Sequence, residues 1–181
     1  MSPHAYPEAS AARESNGRSP ATQAASPGER WLYPASATLR EGRALYFQRA
    51  GFDASTYTDR WVVLRVGKRF SFRIPNTSGR VRAIRLHDLH HVLTGFPTTW
   101  AGEGEIGAFE LASGCRDHWA AWYLNFSAAV IGMFVAPRRV LLAFRRGRRQ
   151  RNLYGEEFSD ALLDETIGAA RARLAIDAAT S

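Results

Sequence analysis

Cysteine and lysine are almost missing from this 181-residue chain. The one cysteine, Cys115, excludes an intramolecular disulfide and any cysteine-rich zinc module, and it fits a reducing compartment. Lys68 is the only lysine, so the net charge of +7 and the pI near 10.3 rest on arginine. That balance favours phosphate-bearing partners: nucleic acid, anionic lipid headgroups or phosphorylated small molecules. No groove-reading or base-stacking module accompanies the charge, so nucleic acid is not the expected partner. Residues 1–30 lack the apolar stretch of a secretory signal, and Glu8, Glu14 and Glu29 argue against an acid-poor transit peptide. There is no internal repeat.

What is present suits one folded domain. Hydrophobic residues make up 45% and aromatic residues 12% of the chain, enough for a packed core at this length. Residues 1–30 are rich in Ser, Ala, Pro and Gly and read as a disordered tail that contains His4. A helical domain is expected over 31–176, with 177–181 as a disordered end. A short helix over 37–49 closes at Gly51. Two strands, 61–66 and 69–74, flank a two-residue turn at Gly67-Lys68, with helix as the alternative for this stretch. A break at 75–79 offers N-cap residues for a helix over about 80–93, ended by Gly95 and Pro97. Val81, Ile84, Asp88 and His91 form one ridge of it and Leu86, Leu89 and Leu93 another, so it is buried on more than one side. A second helix is expected over 103–113. The apolar run 119–136 would span about 27 Å as a helix, short of a hydrocarbon core of about 30 Å. Asn125 and Ser127 within it favour a buried helix or a tunnel wall for a lipid tail. A continuous amphipathic helix over 159–176 completes a mainly helical, single-domain fold with one small β-hairpin.

Chemistry concentrates at His87-Asp88-Leu89-His90-His91 and, eleven residues on, Glu103. On a helix His87 and His91 stack on one face with Asp88 one step around. Imidazole nitrogens with carboxylate oxygens suit a divalent metal, and burying these groups with no compensating cation would be costly. His90 points about 100° away and is read as a supporting or packing residue. Glu103 also has a simpler reading, a carboxylate stabilised in the first turn of a helix. Four arrangements compete for the cluster. A zincin helix needs His-Glu-x-x-His, and the second position here is Asp88. A histidine-aspartate phosphohydrolase would use His87-Asp88 with distant partners, for which His118 and Asp160 are candidates. A purely structural site and an open catalytic site complete the set.

His-Asp-x-x-His, eleven residues and then Glu resembles the metal-binding signature of the Coq-four family of ubiquinone biosynthesis proteins. His87, Asp88, His91 and Glu103 match it, and His-Val-Leu-Thr-Gly at 91–95 and Gly-Glu at 102–103 look like that family's segment. The likeness covers about 80–113. The resemblance implies a mostly helical, membrane-associated protein that holds a divalent metal, zinc in the first instance with iron or another metal as alternatives. It implies action at C1 of a polyprenylated quinone precursor, with oxidative decarboxylation the proposed reaction, or a role in organising other quinone-biosynthesis enzymes. Asp88 and Glu105 are the candidate catalytic residues, Glu105 as an acid/base or as support for the metal; its simpler reading is a solvated helix residue. Seven arginines within 138–151 then suit peripheral docking on anionic lipid at the cytoplasmic face of a membrane. A non-catalytic lipid-binding scaffold is the other non-hydrolase reading.

Overall fold

A computed structural model describes residues 30–52, 61–66, 70–75 and 77–177, with side chains for all of these except the two strands. The expectations for 1–29 and 178–181 lie outside the described residues. The protein is mainly helical, as its sequence pattern implies. Helix α1 spans Leu39–Ala50, a hairpin pairs β1 (Trp61–Val66) with β2 (Phe70–Pro75), and α2 (Ser78–Thr94), α3 (Trp100–Ser113), α4 (Trp119–Val135), α5 (Pro137–Gly147), α6 (Asp160–Asp164) and α7 (Ile167–Leu174) follow.

Local chemistry sets the helix ends. Thr38 and Glu41 form a capping box on α1, and Gly51 closes it in the left-handed conformation, φ 68°. Thr77, Thr99, Ser159 and Thr166 each accept a backbone N–H at the start of α2, α3, α6 and α7. A cap of this kind stabilises a helix by about 1 kcal/mol. The hairpin is antiparallel, and its last pair is Val66↔Phe70. The turn expected at Gly67-Lys68 lies outside the described residues.

Helix α2 runs through the core. Leu86, Leu89, Val92 and Leu93 are fully buried, together with Leu39, Tyr46, Phe96, Ile106, Phe109, Leu153 and Ile167 from the surrounding elements. Truncating a leucine of this set to alanine would cost about 2–5 kcal/mol. Helix α3 packs on both α4 and α5, and glycine permits the close approach. A Cβ added to Gly104 would stand 2.5 Å from the Gly132 Cα, and one added to Gly147 would stand 2.3 Å from the Phe109 carbonyl oxygen.

Two expectations are corrected. The C-terminal stretch is not one helix: α6 stops at Asp164, Glu165 is extended, and Thr166 caps α7. The interruption is stitched to the start of α1, where Leu39 N–H donates to Glu165 O and Ile167 N–H to Ala37 O. Pairing across the chain satisfies those backbone groups better than a continued helix would, because α1 needs acceptors for its first turn. Nor is α4 buried. Only Ala121, Asn125 and Gly132 of it are, while Trp119, Tyr123, Phe126 and Phe134 are 83%, 74%, 62% and 87% exposed. The polar Asn125 faces inward and the aromatic residues face outward, the reverse of an ordinary surface helix. Among the described residues no helix is long and apolar enough to cross a membrane.

Candidate metal centre

Two successive turns of α2 carry His87 and His91, and the first turn of α3 carries Glu103. The sharp connection between these helices begins at Gly95, left-handed with φ 74°, whose N–H closes α2 on the His91 carbonyl. This brings one ligand atom from each of His87, His91 and Glu103 within 4.8 Å of one another. His91 is fully buried, and the His87 and Glu103 side chains are 21% and 35% exposed, so the group opens to one side.

The hydrogen bonds fix which nitrogens face the centre. His91 Nδ1 is 2.7 Å from the Phe96 carbonyl oxygen, an acceptor only, so that nitrogen carries the proton and donates. His87 Nδ1 donates to Glu110 Oε1 at 2.9 Å. Both Nε2 atoms therefore turn inward, 3.1 Å apart. The Glu103 oxygens lie 3.7 Å from His87 Nε2 and 3.6 Å from His91 Nε2. Ligands bonded at 2.0–2.1 Å to a tetrahedral zinc stand about 3.3 Å from one another, so the spacing suits a cation at the centre. With no cation, two inward lone pairs at this distance need a proton between them. The electrostatics agree: burial pushes His91 below its ordinary value, whereas burial of His87 is outweighed by Glu110 and Glu103, which raise it well above. Burial likewise opposes Glu103, yet His91 and His87 hold its carboxyl below the usual range.

Glu110 is the residue that pattern reading missed. It is fully buried on α3, seven residues after Glu103. Its Oε1 accepts from His87 and, at 2.7 Å, from His90 Nδ1. Its Oε2 accepts from Tyr154 OH at 2.6 Å and from the Asn125 amide. Burial alone would raise its pKa, but His87 and His90 outweigh that and hold it well below the ordinary carboxylate range. His90 completes the node, since its Nε2 accepts the Leu153 N–H at 2.8 Å and leaves the ring proton on Nδ1 for Glu110. A carboxylate that orients a metal-facing histidine from behind raises the basicity of that ligand. A helical i, i+7 spacing from Glu103 is the only signal in the sequence that could have found Glu110.

The other candidates are dispersed. Asp88 is buried on α2 at 4% exposure and does not join the group of three. Glu105 is not solvated: it is 1% exposed, and its two oxygens meet Arg30 at 2.9 Å and Arg139 at 2.5 Å. Those ion pairs tie α3 to α5 and to the start of the described chain, and they occupy the carboxylate that an acid/base role would need free. Asp160 pairs with Arg40 at the surface, and the His118 ring packs on Tyr154 at 5.1 Å. Neither contributes to the group. The residues present could hold one divalent metal through two imidazoles and one carboxylate, leaving a position open for a substrate or water.

Comparisons with known protein families, with curated proteins and with solved structures give no match for this chain.

Proposed function

We propose that this protein binds a divalent metal at His87, His91 and Glu103 and acts in quinone biosynthesis on a polyprenylated precursor at a membrane surface. The observation that carries the metal reading is the pair of inward Nε2 atoms, each fixed by an outward Nδ1–H bond. The choice of pathway rests on the resemblance of the spacing His87, Asp88, His91 and Glu103 to the Coq-four signature. Zinc is the first expectation, with iron or another metal as alternatives. When bound, the metal supplies a Lewis acid that polarises a carboxylate or carbonyl oxygen at the open position. Zinc does not exchange electrons, so oxidation at C1 requires iron, another redox metal or an external oxidant. The chain's own contribution is orientation: Glu110 and the Phe96 carbonyl hold the two rings, and the burial of His91 keeps water from one side.

The uncovered face of α4 supports the membrane part of the reading. Trp119, Tyr123, Phe126, Val130 and Phe134 recur at helical spacing and are all exposed. Leu141, Leu142 and Phe144 extend the apolar surface onto α5, among the exposed Arg138, Arg145, Arg148 and Arg149. An apolar stripe bordered by arginine suits insertion to headgroup depth in an anionic leaflet, at the cytoplasmic face. This surface also serves the second reading, a non-catalytic lipid-binding scaffold for other biosynthetic enzymes. The phosphohydrolase reading gains nothing from His118 or Asp160, which stand outside the metal group.

The deciding experiment is metal analysis of purified protein together with lipid profiling of cells. Wild type should hold about one divalent metal per chain, lost on His91→Ala; metal-free wild type would sink the proposal. Cells carrying His91→Ala should accumulate a carboxylated polyprenyl precursor. Normal quinone levels in a strain whose variant protein is metal-free would favour the scaffold.

A further inference from the structure

Residues 30–34 form neither helix nor strand, yet side-chain and backbone bonds tie them down. The Trp31 N–H donates to the Gly95 carbonyl oxygen at 2.8 Å. Arg30 donates to Glu105 Oε1 at 2.9 Å, and its guanidinium carbon lies 4.5 Å from the centre of the Phe96 ring. Arg49 of α1 donates to the Leu32 carbonyl at 3.1 Å, and the Tyr33 side chain is buried. The segment thus crosses the connection between α2 and α3 as a strap, held on α3 at one end and on α1 at the other.

What lies under the strap is what sets His91. Phe96 supplies the carbonyl to which His91 Nδ1–H donates at 2.7 Å. That carbonyl belongs to a short connection, and it orients a ring only if its own residue is fixed. Trp31 takes the preceding carbonyl, of Gly95, and so fixes the peptide that enters Phe96. The Phe96 ring is fully buried, with the Arg30 guanidinium on it and that of Arg146 at 5.4 Å. Burying the Glu105 carboxylate to 1% exposure demands cationic partners, so Arg30 is a fixed contact and not a loose surface pair. A second route runs through α1. The Trp31 ring meets Tyr46 edge-on at 5.9 Å, and Tyr46 stacks on the His91 imidazole at 5.1 Å with the planes 20° apart. The strap therefore reaches His91 twice, through the acceptor of its ring proton and through the ring stacked on its face.

We infer that Arg30 and Trp31 are positioning residues for the metal centre: their strap fixes the Phe96 carbonyl and the Tyr46 ring, and through them the tautomer and direction of His91. Glu105 is the anchor of that strap. The effect on metal affinity rests on the metal reading above, whereas the effect on the His91 ring does not. Partners that orient a ligand from behind govern affinity without touching the metal.

The test compares the full wild-type chain with Arg30→Met, which keeps an apolar stem for Phe96 and removes the pair with Glu105. In metal-free protein, proton–nitrogen correlation spectra of the histidine rings should show wild-type His91 in one form, protonated at Nδ1. Arg30→Met should show both neutral tautomers, because the acceptor at Nδ1 is no longer held. Zinc affinity, measured by competition with a chelator, should fall by about tenfold. Arg30→Lys, which retains a cation for Glu105, should recover part of both changes. Arg40→Met is the control for stability alone: it breaks the surface pairs with Asp160 and Asp164 and should leave both readouts at wild type. If Arg30→Met does not fold, Trp31→Leu takes its place in both measurements, since it keeps the backbone donor and removes the ring beside Tyr46. An unchanged His91 tautomer, a zinc affinity equal to that of zinc-binding wild type, the same changes in Arg40→Met, or no recovery in Arg30→Lys would each overturn the inference. Wild type that takes up no zinc overturns the metal reading instead, and the tautomer comparison then decides the strap alone.

Discussion

Four hydrogen bonds converge on the Glu110 carboxylate, two on each oxygen, and no other buried side chain of the centre touches as many elements. Glu110→Gln keeps the shape and removes the charge that favours a basic His87. Metal affinity should fall by about 10–100-fold, measured by competition with a chelator of known strength. In metal-free protein His87 stands well above its ordinary value, whereas a metal-ligating imidazole must be neutral. The sign follows: metal uptake near neutral pH displaces the His87 proton, and affinity rises with pH. Calorimetry in buffers of different ionisation enthalpy should report release of about one proton per metal, and none after His87→Ala. The residue scale is also where sequence reading was uneven. His87, His91 and Glu103 were legible because helical spacing and one glycine-ended connection fix their meeting. Glu110 was not, because what marks it is burial against His90, Asn125 and Tyr154, and the last two come from α4 and a loop far along the chain.

At the scale of elements, α3 against α4 and α5 is the tightest packing. Gly132→Ala would drive a methyl group into the α3 backbone near Gly104, where no flexible side chain can yield. A destabilisation of about 1–3 kcal/mol is expected, read as a lower denaturant midpoint with unchanged slope. Gly79→Ala is the control, since no described residue lies within 4 Å of an added Cβ there. The end of α1 and both ends of α2 were legible from Gly51, Gly95 and the N-cap candidates at 75–79, which act locally, whereas α3 starts at Trp100, three residues before the expected Glu103, because Thr99 caps it. The break between α6 and α7 was not, because Glu165 and Thr166 leave the helix to pair with Ala37 and Leu39, a demand set by the distant end of the chain. The outward turn of α4 was hidden for a related reason. A uniformly apolar run has no polar face to betray its orientation, and the inward residue proved to be Asn125, called in by Glu110.

For the whole molecule, a rigid polar centre sits behind a bare aromatic surface and a field of arginines. The protein should sediment with vesicles that contain phosphatidylserine and stay free of purely zwitterionic ones, and added salt should weaken the association. Phe126→Glu combined with Phe134→Glu should abolish it while leaving metal content unchanged, because both side chains point away from the core. The same long-range ties set an order of events during synthesis. The metal-facing residues emerge from the ribosome by Glu103, but their settings come later: Leu153 N–H and Tyr154 OH for the His90 and Glu110 node, and Arg171, whose guanidinium binds the Val92 and Leu93 carbonyls at the end of α2. A nascent chain stalled before Asn152 carries every ligand and none of these final braces. The centre is thus finished only after Arg171 has been made, and a chain cut short before Asn152 carries its candidate ligands in sequence but not in register.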